Sequence, residues 1–225
     1  MCGRFTSAAE SSKVAERFGA TPPEGYRERY NVAPAQRVLT VIRDAEERHA
    51  ELMRWGLVPH WAKDLSVSYK MINARAETIL EKPAYRSLVK SHRCLIPADG
   101  FYEWRVVGDG KKEPVRFTLA DGDLFAFAGL WTRWVDKASG ELVDSCTVVT
   151  TSANELVAPV HERMPVILPP SVETLWLDPA ATPDLLLSLL RAYPAGLMRA
   201  ASASRRVNSA ANDDAELLVP DALAA

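Results

Sequence analysis

The residue whose place in this sequence says most about chemistry is Cys2, which directly follows the initiator methionine and precedes Gly3. A small side chain at position 2 allows the methionine to be removed. Cys2 would then carry an α-amine and a thiol on adjacent carbons. An α-amine has a pKa near ~7.7–8, against ~10.4 for a lysine, so a usable fraction is neutral at physiological pH. Such an amine can attack an aldehyde to give an imine. The thiol can then close a five-membered thiazolidine ring, with the effective concentration of a tethered nucleophile. Gly3 lets backbone approach a ligand closely. The other reading is a buried apolar cysteine that happens to stand second, and position alone leaves both open.

Other residues could move protons or hold anions. His161 stands in VHERMPVIL, at a loop–strand junction where a histidine can transfer protons near neutral pH. Glu103 stands in GFYEW between Tyr102 and Trp104. A carboxylate desolvated among aromatics has a raised pKa and suits general acid work. Asn73 and Arg75, in INARAET, put an amide beside a guanidinium. Each also has a plain structural reading: a surface histidine, an outward strand glutamate, a turn asparagine, a solvated arginine. Arginine outnumbers lysine, and Arg4, Arg29, Arg75, Arg86, Arg163, Arg205 and Arg206 are candidate bidentate phosphate ligands. Trp55, Trp61, Tyr102, Trp104, Trp131 and Trp134 could stack unpaired bases or fill a core.

The elements that must position these residues are mostly strands. Ser7 followed by Glu10 predicts a capping box, and Val14, Ala15 and Phe18 predict one apolar helix face ended by Gly19. Arg37–Arg43 and Ala50–Val58 read as strands. Pro83–His92 reads as a short helix with proline in its first turn. Cys94–Val107 reads as two strands about a turn at Asp99-Gly100. Pro114–Leu119 and Leu124–Val135 predict a hairpin around Asp121-Gly122. Ser145–Thr151 and Met164–Leu168 read as buried strands, Ser171–Leu177 and Pro183–Tyr193 as surface helices, and Met198–Val207 as a last strand-like piece. Many strands with few helices, and no strand–helix alternation, predict an α+β fold. Its core is a mixed, barrel-like sheet with a few peripheral helices, in one domain over residues 1–225.

Composition narrows the function classes. With 225 residues, 48% hydrophobic and 25% charged, the chain has the balance of a soluble globular protein with a core that needs no disulfide or metal. The net charge of −2 gives no bulk affinity for nucleic acid or membrane, so an anionic ligand must meet a local basic patch. Cys2, Cys94 and Cys146 form no disulfide framework, and no Cys/His spacing fits a zinc site. No apolar run approaches the ~20 residues that span a bilayer. A cytoplasmic, metal-free monomer without cofactor is expected.

Taken together, MCGRF, RYNVAPAQ (Arg29–Gln36), MRWGLVPHW (Met53–Trp61), INARAET (Ile72–Thr78), RCLIPADGFYEW (Arg93–Trp104), FAGLW (Phe127–Trp131) and VHERMPVIL (Val160–Leu168) resemble the SRAP family, the SOS-response-associated peptidases. The likeness continues more weakly through RRVNSAANDDAEL (Arg205–Leu217). The resemblance implies an enzyme that crosslinks to abasic sites in single-stranded DNA through a thiazolidine at Cys2, shielding the lesion. It places Asn73, Glu103 and His161 beside Cys2 as catalytic groups. It places Arg4, Arg75 and Arg163 on phosphates, and Asn31, Pro34 and Trp61 along the DNA channel. It also implies repair or replication proteins as partners and association with the nucleoid when DNA is bound. Two other readings stay open on the residues. One is an amidohydrolase or peptidase using Cys2 as an N-terminal nucleophile. The other is a single-strand-binding module that needs only the arginines and tryptophans.

Overall fold

The computed structural model describes residues 2–45, 47–108 and 110–219. Its strands are β1 (Phe5–Ser7), β2 (Arg29–Val32), β3 (Arg37–Asp44), β4 (Glu47–Trp55), β5 (Asn73–Arg75), β6 (Arg93–Ala98), β7 (Gly100–Val107), β8 (Lys111–Leu119), β9 (Phe125–Val135), β10 (Leu142–Ser152), β11 (Arg163–Pro165), β12 (Ile167–Leu168) and β13 (Met198–Ser202). Its α-helices are α1 (Ser11–Phe18), α2 (Pro83–Arg86), α3 (Leu88–Ser91), α4 (Pro170–Leu177) and α5 (Pro183–Leu189). This is the expected α+β architecture with a barrel-like mixed sheet.

The barrel closes because β10 pairs on both sides. It runs antiparallel to β9 and parallel to β4, and β4–β3–β6–β9 completes the ring. Closure leaves those strands without a free edge. The second sheet has the order β13-β8-β7-β1-β2. Side chains alternate across it. Phe5, Phe101, Val115 and Phe117 face the barrel's Trp55, Ile96 and Phe127 in one buried cluster. The Phe5 ring meets Trp55 edge-on at 5.0 Å and Phe127 at 5.6 Å. A separate cluster lies under the helices and includes Phe18, Ile79, Leu95 and Trp176. Tyr102, on the opposite face of β7, packs beneath a C-terminal strap with Ala203, Val207 and Leu217.

Several sequence expectations need correction. The Ser7–Glu10 capping box does not form. Ser7 ends β1 in register with Arg29, so the helix starts at Ser11 behind Glu10, which makes no side-chain cap. The other end is as expected: Gly19 is left-handed at φ 65° and its N–H reaches Ala15 O at 2.9 Å. The predicted hairpin around Asp121-Gly122 is a turn between two sheets. β8 pairs with β7 and β13, whereas β9 pairs with β6, β10 and β12. The Asp99 turn also passes the chain from barrel to sheet. Pro83–His92 is two short helices, α5 stops at Leu189, and Met164–Leu168 is divided between β11 and β12. The last piece is a strand only to Ser202, followed by a 3-10 turn over Arg205–Asn208.

Candidate active site

Cys2 lies just before β1, where the second sheet meets the barrel, and it is fully buried. Its carbonyl accepts a hydrogen bond from Asn73 Nδ2 at 2.9 Å. Asn73 is held for this by β5, which runs parallel to β10 with Val148 opposite Asn73. Asn73 Oδ1 is buried and has no hydrogen-bond partner among the described residues. Leaving a buried acceptor unmet costs about 1–3 kcal/mol, which marks the atom as one awaiting a donor. Burial, and then the nearby Glu103 charge, push the Cys2 thiol well above its ordinary range. The sulfur is therefore a thiol at neutral pH and needs a base to become a nucleophile.

Glu103 sits on the barrel-facing side of β7, in line with Phe101, and is 3% exposed. Burial raises its carboxyl from 4.5 to about 7. A group balanced there can both give and take a proton near neutral pH. Its sequence neighbours Tyr102 and Trp104 belong to the cluster beneath the strap, on the other face of β7.

His161 comes from a loop closed by the Ala153 N–H on Glu162 O at 3.0 Å. Asn154 Oδ1 braces that loop by accepting from the N–H groups of Leu156 and Val157. His161 Nδ1 accepts from the Arg163 N–H at 2.9 Å, which leaves Nε2 to carry the proton of the neutral ring. Burial, the largest cause, lowers its pKa and favours that neutral form. Glu103 and His161 line one cavity of about 550 Å³ with Trp104, Lys112 and Asn208. A second opening of about 370 Å³ is lined by Trp61, Asn73, Arg75 and Tyr85, among others. Cys2 is thus tied to both, by Asn73 on one side and Glu103 on the other. The structure brings together the four residues expected to be catalytic.

The expected DNA-contacting residues divide. Arg75 is exposed and makes no hydrogen bond among the described residues, and Trp61 is 53% exposed in the same groove. Both are available to a ligand. Pro34 is half-buried beside Ala35, a non-glycine residue at φ 68° whose N–H bonds Trp55 O. Arg4 lies 5.9 Å from the Trp104 ring centroid and gives Nη1 to Asn31 Oδ1 and Val207 O.

Asn31 and Arg163 are engaged within the fold. Asn31 is fully buried, and its Nδ2 donates to the carbonyls of Val207, Ser209 and Asn212. It anchors the strap. Arg163 is 8% exposed, with a two-pronged ion pair to Glu77 at 2.7 and 2.9 Å and a bond to Thr150 O. In this arrangement the guanidinium links β11 to Glu77 and to β10. Glu77 lies inside INARAET, but no local spacing announces a partner in a strand so far along the chain. The cavity of Glu103 and His161 is also lined by Lys112 and Asn208; sequence reasoning singled out neither, although Asn208 lies within RRVNSAANDDAEL.

Known proteins place this arrangement. A curated protein of Bacillus subtilis, "Abasic site processing protein YoqW", is 48% identical over 222 residues, covering 97% of this chain and 99% of its own. "Abasic site processing protein HMCES" of Gallus gallus is 35% identical over 98% of this chain and 78% of its own length. A crystal structure of a protein from Bacteroides thetaiotaomicron superposes with a TM-score of 0.90 at 28% identity, over 98% of this chain and 100% of that one. Residues 1–210 match the family described as SOS response associated peptidase, and with that match and these relatives the chain belongs to the SRAP family.

Proposed function

We propose that this protein processes abasic sites in DNA by crosslinking to them through Cys2 once Met1 has been removed, acting on single strands. The observation that carries the proposal is the buried aminothiol position, braced by Asn73 and adjoining a carboxyl balanced near neutrality. Its curated relatives are named for abasic site processing, which supports the substrate.

An abasic sugar supplies the aldehyde. The Cys2 amine adds to C1′, and the carbinolamine loses water to give the imine. The thiol then adds across the C=N bond: sulfur bonds C1′ and the proton ends on nitrogen. The balance is a condensation that releases one water, with no oxidant or cofactor required. Protonated Glu103 assists departure of the hydroxyl, and its carboxylate then takes the thiol proton. Neutral His161 donates a hydrogen bond from Nε2–H to the sugar oxygen during opening of the ring. Asn73 Oδ1 accepts a hydrogen bond from the sugar or adduct, and Arg75 with Trp61 holds the neighbouring strand. The closed ring would shield the lesion from cleavage.

The test is a denaturing gel of the mature protein with single-stranded DNA bearing one abasic site, with intact-mass analysis of protein and adduct. A heat-stable band with the mass gain at Cys2 is expected, absent in Cys2→Ala. Cys2→Ser should give at most a labile imine trappable by borohydride. A heat-stable band from Cys2→Ala would refute the thiazolidine. The family's description as peptidases favours one second reading, in which Cys2 removes its own methionine. Loss of Met1 from protein made in a cell-free system lacking aminopeptidase would support it.

A further inference from the structure

The cavity lined by Glu103 and His161 has a wall that the condensation does not use. Lys112, from β8, and Asn208, from the C-terminal strap, line it with Glu103, Trp104 and His161. Lys112 is exposed and makes no hydrogen bond or ion pair among the described residues. Asn208 Oδ1 accepts from Trp104 Nε1 at 2.7 Å. That bond fixes which way the amide faces, and its NH2 donates to nothing among the described residues. The preceding carbonyl, Val207 O, is gripped by Arg4 Nη1 at 2.7 Å and Asn31 Nδ2 at 3.3 Å, so the strap cannot drift. An ammonium and an oriented amide donor at one opening are complementary to an anion bearing several acceptor oxygens. The second opening, beyond Asn73, is lined by two further cations, Arg75 and Lys82.

We infer that Lys112 and Asn208 form a phosphodiester subsite for the DNA strand on the β8 side of the abasic nucleotide, paired with Arg75 on the other side. This rests on the reading of the cavity as the abasic-nucleotide site. A strand held at both flanking phosphates would present C1′ to Cys2 from a fixed direction.

The test uses single-stranded DNA carrying a tetrahydrofuran abasic analogue, which has no aldehyde and forms no covalent bond. Its affinity is measured over a salt series. Loss of one phosphate contact to a single strand flattens the plot of log K against log salt by about 0.7, so Lys112→Met should show that change and Lys112→Arg should not. Asn208→Asp keeps the Trp104 acceptor but adds a negative charge, and it should weaken binding most at low salt. Replacing one of the two flanking phosphates with a neutral methylphosphonate should weaken wild type yet leave Lys112→Met unaffected. A wild-type slope for Lys112→Met, with both methylphosphonate penalties retained, overturns the subsite and leaves the proposed function standing. A wild-type protein without salt-dependent affinity for the strand overturns both.

Discussion

Under the proposed function, Glu103 would trade stability for chemistry. Its carboxyl rises from 4.5 to about 7 because burial removes its water. The folded chain then holds this proton more tightly than the unfolded chain. The stability contributed is complete below the ordinary value and is lost as pH climbs through the folded one. Glu103→Gln removes that loss. Urea unfolding at about pH 8 should find the variant more stable than wild type by roughly 2 kcal/mol, and the gap should close toward about pH 5. The same variant should crosslink about 10²-fold or more slowly, because the group that exchanges protons is gone. A variant less stable than wild type at the higher pH would show that the carboxylate is well solvated or paired.

At the scale of elements, the strap matters most. β2 is an edge strand, and Asp213 covers it: Oδ1 accepts from the N–H groups of Tyr30 and Asn31 at 2.7 and 3.0 Å, and Oδ2 pairs with Arg29 and Arg27. Asp213→Ala strands two backbone donors and a mostly buried guanidinium. It should cost about 2–4 kcal/mol in urea unfolding. A loss under ~0.5 kcal/mol, the range of an ordinary surface change, would mean the strap is not held there. The elements also show what the sequence made legible. Gly19 announced the end of α1 because only glycine takes that left-handed turn without strain. Phe101, Glu103 and their neighbours announced a strand. Alternation reports which faces are apolar, not which strand lies alongside, so the split of β8 and β9 between two sheets was invisible. The pairing of Arg163 with Glu77 was hidden for the same reason. Lys112 and Asn208 reach the cavity only through strand register and the path of the strap, which neither residue signals locally.

At the scale of the whole molecule, the proposed function asks how a chain of net charge −2 would hold DNA. Most of its well-placed arginines are spent inside the fold. Arg17 pairs with Glu173, Arg116 with Asp99, Arg133 with Asp144, Arg163 with Glu77, and Arg206 with Asp214. These pairs engage guanidinium groups that could otherwise meet a phosphate. Around the site, Arg75, Lys82 and Lys112 make no ion pair among the described residues, and Arg4 is hydrogen-bonded to Asn31 and Val207. Neutralising two or three phosphates on a single strand gives a slope of log K against log salt of about −1.4 to −2.1. Affinity for single-stranded DNA with the tetrahydrofuran analogue should follow that shallow line, and Arg75→Ala should flatten it by a further ~0.7. A slope steeper than about −4 would require contacts with phosphates well beyond the site. With so little electrostatic grip, the protein would release intact strands readily, and only the covalent step at Cys2 would make its hold on a lesion last.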